Sequence, residues 1–171
     1  MEPDAATRFR ELILPELGNL RRIGMALTGN RQDCDDLVQE SVVRALRYFE
    51  SYKGDGFRAW MAAIMRNVHR DRPRLKPVSA DGEWLQELPD PAPDPEQRVA
   101  STSTAARLRT LVAALPEQLR EVLMMREFGE LSYAQIAVAL DVPIGTVMSR
   151  LARARENLRA AWMKDEGEVV A

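Results

Sequence analysis

The stretch SYAQIAVALDVPIGTVMSRLARARENLR, residues 132–159, decides the fold. Ser132 followed three residues later by Gln135 fits a capping box, in which the hydroxyl accepts from the third helical amide and Gln135 accepts from the Ser132 N–H. The helix that opens there turns Ile136, Ala137 and Leu140 inward. Leu140-Asp141-Val142 then supplies a turn, since Asp is among the few residues besides Gly that tolerate the left-handed backbone. Pro143 pre-sets the first turn of a second helix. Along that helix Ile144, Val147, Leu151, Ala154 and Leu158 recur at steps of three and four, which predicts a buried stripe. Gly145, Thr146, Ser149, Arg150 and Arg153 fall on the other side. Small residues at the start of that face permit close approach to a double helix. The hydroxyls suit phosphates or base edges, and the arginines suit guanine or the backbone. Cap, turn and stripe agree in register, as a DNA-binding helix-turn-helix requires.

Upstream, Leu108, Leu111, Val112 and Leu115 predict one helix, and Leu119, Val122, Leu123 and Phe128 another that begins at Pro116 and ends at Gly129. A connector precedes them, with Pro77, Pro89, Pro91, Pro93 and Pro95 amid acidic groups, a composition that builds no core of its own. Before it lie three more helical patterns. The first, Leu12 to Leu27, stops at Thr28-Gly29-Asn30. The second starts after Asp33 and runs through Leu37, Val38, Val42, Val43, Leu46 and Phe49. The third starts at Phe57 after the Lys53-Gly54-Asp55-Gly56 break, carries Trp60, Ile64 and Val68 on one face, and ends near Pro73. Trp60 shares that apolar stripe and reads as core. The expected class is all-α: two small helical domains joined by a proline-rich linker, the C-terminal one with the helix-turn-helix. The boundaries are 1–76, 77–96 and 97–171.

The net charge of −2 excludes a uniformly basic DNA binder, so positive charge must be concentrated locally. It is concentrated twice, at Arg66, Arg70, Arg72, Arg74 and Lys76, and at Arg150, Arg153, Arg155 and Arg159. No apolar run approaches the length of a membrane span, and the acidic, amphipathic N-terminus does not read as an export signal. With Cys34 alone, no intrachain disulfide forms, and a cytoplasmic location is expected. One cysteine and one histidine make a metal site improbable, so neither metal nor cofactor is expected. His69 reads as a helix-surface residue, and Cys34 as a partly buried thiol rather than a redox sensor.

At this point the chain resembles the extracytoplasmic-function group of bacterial sigma factors. The resemblance rests on LPEQLREVLMMREFGELSYAQIAVALDVPIGTVMSRLARARENL from Leu115 to Leu158. It rests also on DCDDLVQESVVRAL from Asp33 to Leu46 and FRAWMAAIMRNVHRDR from Phe57 to Arg72, in the family's order. It implies binding to core RNA polymerase, through the β′ coiled coil and the β flap, with Asp36, Gln39 and Glu40 at the matching β′-binding positions. It implies −10 promoter recognition and melting by Lys53, Asp55, Phe57, Arg66, Asn67, Arg70 and Arg74. It implies −35 reading by Thr146, Met148, Ser149, Arg150, Ala152 and Arg153, and control by an anti-sigma factor. Three departures from the family pattern stand out: Pro73 cuts the melting helix, Asp141 replaces the usual turn glycine, and Met148 and Ala152 stand at base-reading positions. The role implied is non-catalytic. The rivals are a sigma-like decoy that sequesters an anti-sigma factor, a helix-turn-helix regulator with an upstream sensing domain, and an enzyme. The all-helical N-terminal half speaks against the regulator, the retained Arg150 and Arg153 against the decoy, and the single histidine against most hydrolytic triads.

Overall fold

The computed structural model describes residues 4–73 and 95–169, with side chains over 4–73 and 104–164. Most of the expected connector, 77–96, lies outside the described residues. Every regular element among them is helical, as the sequence predicts. The N-terminal half comprises α1 (Ala5–Ile13), a 3₁₀ turn (Leu14–Glu16), α2 (Leu17–Thr28), α3 (Arg31–Arg47), a second 3₁₀ turn (Phe49–Ser51) and α4 (Phe57–Asp71). The C-terminal half comprises α5 (Pro95–Ala113), α6 (Glu117–Glu127), α7 (Tyr133–Leu140) and α8 (Ile144–Val169).

Two boundaries differ from the sequence expectation for local reasons. The single helix expected from Leu12 to Leu27 is two helices that meet at Pro15 inside the 3₁₀ turn, where the missing N–H interrupts the α-helical ladder. The second expected helix starts at Arg31 rather than after Asp33. Its N-cap is Asn30, whose side chain accepts from the Asp33 N–H at 2.8 Å. The expected stop at Gly29 is present, with φ 74°.

Each half buries one apolar face of every helix. Leu20, Ile23, Leu37, Met61, Met65 and Val68 are sealed in the N-terminal half. An aromatic nest closes one end of it: Phe9, Phe49, Tyr52, Phe57 and Trp60 stand with ring centroids 5.2–6.4 Å apart, mostly edge to face or tilted. The C-terminal half is centred on Val122, Met125, Leu131, Ile136, Leu140 and Leu151. Arg107 stacks over the Trp162 ring at 4.0 Å and tethers α5 to α8.

The two cores are continuous. Helix α4 lies along α7, and α2 along α6. At Gly129 the approach is close enough that a Cβ would stand 2.7 Å from the Met125 carbonyl and 3.0 Å from Ile23 Cγ1 of the other half. The left-handed residue of that corner is the next one, Glu130, at φ 54°.

Candidate nucleic-acid and partner interfaces

The helix-turn-helix forms from local chemistry. Ser132 Oγ accepts from Gln135 N at 3.1 Å, and Ser132 N donates to Gln135 Oε1 at 2.9 Å, which completes the expected capping box. Asp141 takes the left-handed conformation at φ 53°, ψ 51°. The Val142 N–H reaches back to the Ala137 carbonyl at 3.1 Å, closing α7. The Pro143 carbonyl then accepts from Thr146 N and Val147 N and opens α8.

On α8 the buried stripe is Val147, Leu151 and Ala154, with Leu158 partly covered. Ile144, expected in that stripe, is 49% exposed, because the stripe meets the packed helices only from the second turn onward. Gly145, Met148, Ser149, Ala152 and Arg153 are exposed and form one outward face; Thr146 and Arg150 are half-buried at its border. Ser149 Oγ donates to the Thr146 carbonyl at 3.1 Å. Small and flexible side chains around two arginines make a surface that a DNA groove can approach closely.

The candidate partner face on α3 is divided. Asp36 and Gln39 are exposed. Glu40, expected as a third exposed group, is half-buried and shared: Arg44 donates to it at 2.9 Å and Arg72 at 3.1 Å, and Arg44 also holds Asp71 at 3.1 Å. These pairs tie α3 to the end of α4.

The candidate −10 residues are scattered over three environments. Lys53 and Asp55 are exposed on a loop whose Gly54 and Gly56 both adopt positive φ, 87° and 64°. Phe57, expected to face DNA from that loop, is buried in the aromatic nest beside Phe9, Tyr52 and Trp60, so its ring serves packing. Trp60 belongs to the same nest. Asn67 and Arg70 are exposed on α4, whereas Arg66 is half-buried and points toward α6. Arg74 lies outside the described residues.

His69 is half-buried rather than on an open helix surface. Burial holds its pKa below the ordinary imidazole value; Glu117 opposes that shift, while Arg72 and Arg120 reinforce it. Cys34 is completely buried and its thiol donates to the Arg21 carbonyl at 3.4 Å.

A set of charges that carries no local sequence signal bridges the halves. Arg66 Nε stands 3.8 Å from Glu121 Oε2, and Glu130 lies 3.9 Å from Arg22 and 3.8 Å from Arg58. Arg58 is held in turn by a two-pronged contact with Glu16, at 2.6 and 3.1 Å, which lowers the Glu16 pKa. No described helix is long and apolar enough to cross a membrane, and no cluster of metal-binding side chains occurs among the described residues.

Comparison with known proteins matches residues 12–76 to Sigma-70 region 2 and residues 105–158 to Sigma-70 region 4. The ECF RNA polymerase sigma factor SigE of Mycolicibacterium smegmatis is 30% identical over 168 residues; the match covers 96% of this chain and 65% of that protein. The chain therefore spans about two thirds of that relative's length. EcfG of Rhodopseudomonas palustris, also an ECF RNA polymerase sigma factor, is 33% identical over 164 residues, with 94% and 88% covered. The ECF RNA polymerase sigma-E factor of Escherichia coli is 34% identical over 139 residues, with 72% and 71% covered. Two solved structures share the fold. CnrH in complex with the cytosolic domain of CnrY aligns with TM-score 0.67 at 23% identity, covering 92% of this chain and 88% of that one. RpoE in complex with the anti-sigma factor NepR from Bartonella quintana aligns with TM-score 0.68 at 22% identity, covering 90% and 95%. With both sigma-70 regions present in order and these relatives matched across both halves, the chain belongs to the ECF RNA polymerase sigma factors of the sigma-70 family.

Proposed function

We propose that this chain binds core RNA polymerase in the cytoplasm and directs initiation at its own promoters, without enzymatic activity of its own. In this reading Asp36, Gln39 and Glu40 on α3 meet the β′ coiled coil, and the C-terminal half meets the β flap. Lys53, Asp55, Arg66, Asn67, Arg70 and Arg74 take the opened −10 strand; Phe57 contributes by holding the loop through the aromatic nest. Thr146, Met148, Ser149, Arg150, Ala152 and Arg153 read the −35 duplex. The domain boundaries are those of the sequence reading, 1–76, 77–96 and 97–171.

The observation that carries this reading is the outward face of α8. Gly145, Met148, Ser149, Ala152 and Arg153 stand exposed on the second helix of a fully capped helix-turn-helix, in a chain whose other half matches Sigma-70 region 2. Each half on its own touches few phosphates, and non-specific DNA affinities lie at about 10⁻⁴ to 10⁻⁶ M. Holding both halves on one polymerase raises their effective concentration on a promoter that carries both elements. Control by an anti-sigma factor fits the complex in which the related RpoE fold is seen with NepR.

Run-off transcription with core polymerase tests the proposal on promoters selected from a genomic fragment library. Specific transcripts that appear only when the chain is added support it. A chain that neither co-purifies with core polymerase nor yields such transcripts overturns it, and retained binding to an anti-sigma protein in that case identifies a decoy.

A further inference from the structure

The outward face of α8 is divided lengthwise by its chemistry. Val147, Leu151 and Ala154 fix the buried direction of the helix. At about 100° per residue, Gly145 and Ala152 fall within about 60° of Met148 around the axis, whereas Ser149, Arg153 and Thr146 fall between about 100° and 160° from it. One edge of the face is therefore apolar, and the other carries two hydroxyls and a cation. Met148 is the largest side chain of the apolar edge and is 53% exposed. It leans toward the helix N-terminus, over the turn that begins at Gly145, where an added Cβ would meet nothing within 4 Å. The thioether thus stands in open space on the side proposed to face DNA.

The two edges suit different parts of a base pair. Ser149 Oγ donates to the Thr146 carbonyl at 3.1 Å, so its proton is engaged within the helix and it offers the groove an acceptor. Arg153 is exposed and offers a fork of donors. Met148 and Ala152 have no side-chain donor, and a thioether is a weak acceptor. In the major groove one base group gains from such a neighbour, the C5 methyl of thymine. The amino groups of cytosine and adenine, or the acceptors of guanine, would lose water against Met148 and find no partner there. Met148 and Ala152 stand four residues apart, about 6 Å along the axis, close to two base-pair steps of about 3.4 Å.

We propose that the apolar edge of α8 makes this chain select thymine, through its C5 methyl group, at two positions of the −35 element about two base steps apart. Met148 covers one methyl and Ala152 the other. The inference rests on the proposed role of α8 in reading the −35 duplex. Selection has two sources: a covered methyl favours thymine, and an unpaired polar group at the same place disfavours the other bases. The flexible, unbranched thioether can follow the methyl as the helix settles in the groove, which a β-branched side chain could not. Covering one methyl is expected to change occupancy about fourfold.

The test uses holoenzyme assembled from the full chain and core polymerase, on a promoter recovered from the genomic fragment library. Each thymine of its −35 element is replaced in turn by deoxyuridine, which removes the methyl and keeps both the base pairing and the O4 acceptor. Competition binding measures occupancy. Two thymines are expected to lose about fourfold on replacement, and the others to lose nothing. Met148→Gln should abolish the loss at one of the two, Met148→Leu should keep it, and Ala152→Gly should abolish the loss at the other. Met148 and Ala152 are exposed, and circular dichroism checks that each variant keeps its helices. Deoxyuridine accepted at every thymine, fewer than two sensitive positions, or a methyl dependence that survives Met148→Gln overturns the proposal. Promoter-specific transcripts from an element indifferent to the methyl remove this inference alone. Absent transcripts together with absent core binding remove the proposed function itself.

Discussion

Helices α4 and α8 are both proposed to meet DNA, yet the fold prepares them in opposite ways. On α8 the outward face is built from Gly145, Met148, Ser149, Ala152 and Arg153, all exposed, while the opposite stripe is sealed. On α4 the apolar positions Met61, Met65 and Val68 are sealed too, but the polar side is divided: Asn67 and Arg70 are exposed, while other cations are engaged. Arg66 faces Glu121, Arg58 is held by Glu16, and Arg72, just past the helix end, binds Glu40. A helix that reads a closed duplex can be displayed complete, because duplex DNA presents its groove at any time. A helix that must take a separated strand gains from having its cations engaged until the strand exists. The difference lies in partners supplied by other elements rather than in composition.

The largest break in this comparison comes from the shared core. Leu151→Ala removes a fully buried side chain of α8 and is expected to cost about 2–5 kcal/mol. Because the two cores are continuous, one cooperative denaturation transition is expected to shift as a whole, monitored through both Trp60 and Trp162. Two separate transitions, with only the C-terminal one shifted, would show that the halves fold independently.

Next come the two recognition surfaces. Arg153→Ala is expected to weaken binding to a duplex carrying the −35 element by about 1–3 kcal/mol and to relax its sequence preference. Core polymerase binding should stay as it was. Asp36→Ala is expected to do the reverse, lowering co-purification with core while leaving duplex binding by the free chain unchanged. A loss of both activities in either variant would merge the two surfaces into one.

Smaller effects probe the corner that aims α8. Ser132→Ala removes a cap observed on both sides of its box and should cost about 1 kcal/mol. Asp141→Gly should stabilise by up to about 1 kcal/mol, since glycine enters the left-handed region without the strain that a Cβ brings. Both are read from denaturant midpoints. If Asp141→Gly stabilises but weakens duplex binding, the aspartate serves recognition as well as the turn.

The smallest expected effect is a pH slope at His69. Burial depresses its folded-state pKa below the unfolded one, so its contribution to stability is fully present above the unfolded value and is lost as pH falls through the folded value. Stability measured from pH 7.5 down to 5.5 should therefore decline, and His69→Gln should flatten that decline. A decline that persists unchanged in the variant would remove His69 as its source.

The parts legible in the sequence are those built from neighbours in the chain. The capping box, the Asp141 corner and the stripe from Val147 to Ala154 follow from spacings of three and four residues, and the family resemblance follows from the same stretch. The break between α1 and α2 is not legible in this way, because the 3₁₀ turn at Pro15 interrupts an apolar pattern that is itself continuous. The burial of Phe57 is not legible, because a loop-edge aromatic has no periodicity to reveal that Phe9 and Tyr52 enclose it. The exposure of Ile144 is not legible either, because it continues the spacing of a stripe that has no packing partner in the first turn. Glu121 and Glu130 carried no local signal at all. Their significance comes from α2 and α4, which are distant in sequence and meet them only when the halves pack.

The buried thiol of Cys34 gives the chain a built-in clock. It is the only cysteine, its sulfur is fully covered, and the place a Cβ on Gly24 would occupy lies 2.9 Å from it. A thiol reagent can reach it only when α2 and α3 part. The labelling rate of the unmodified chain therefore counts openings of the N-terminal half one molecule at a time, with no second sulfur to blur the count.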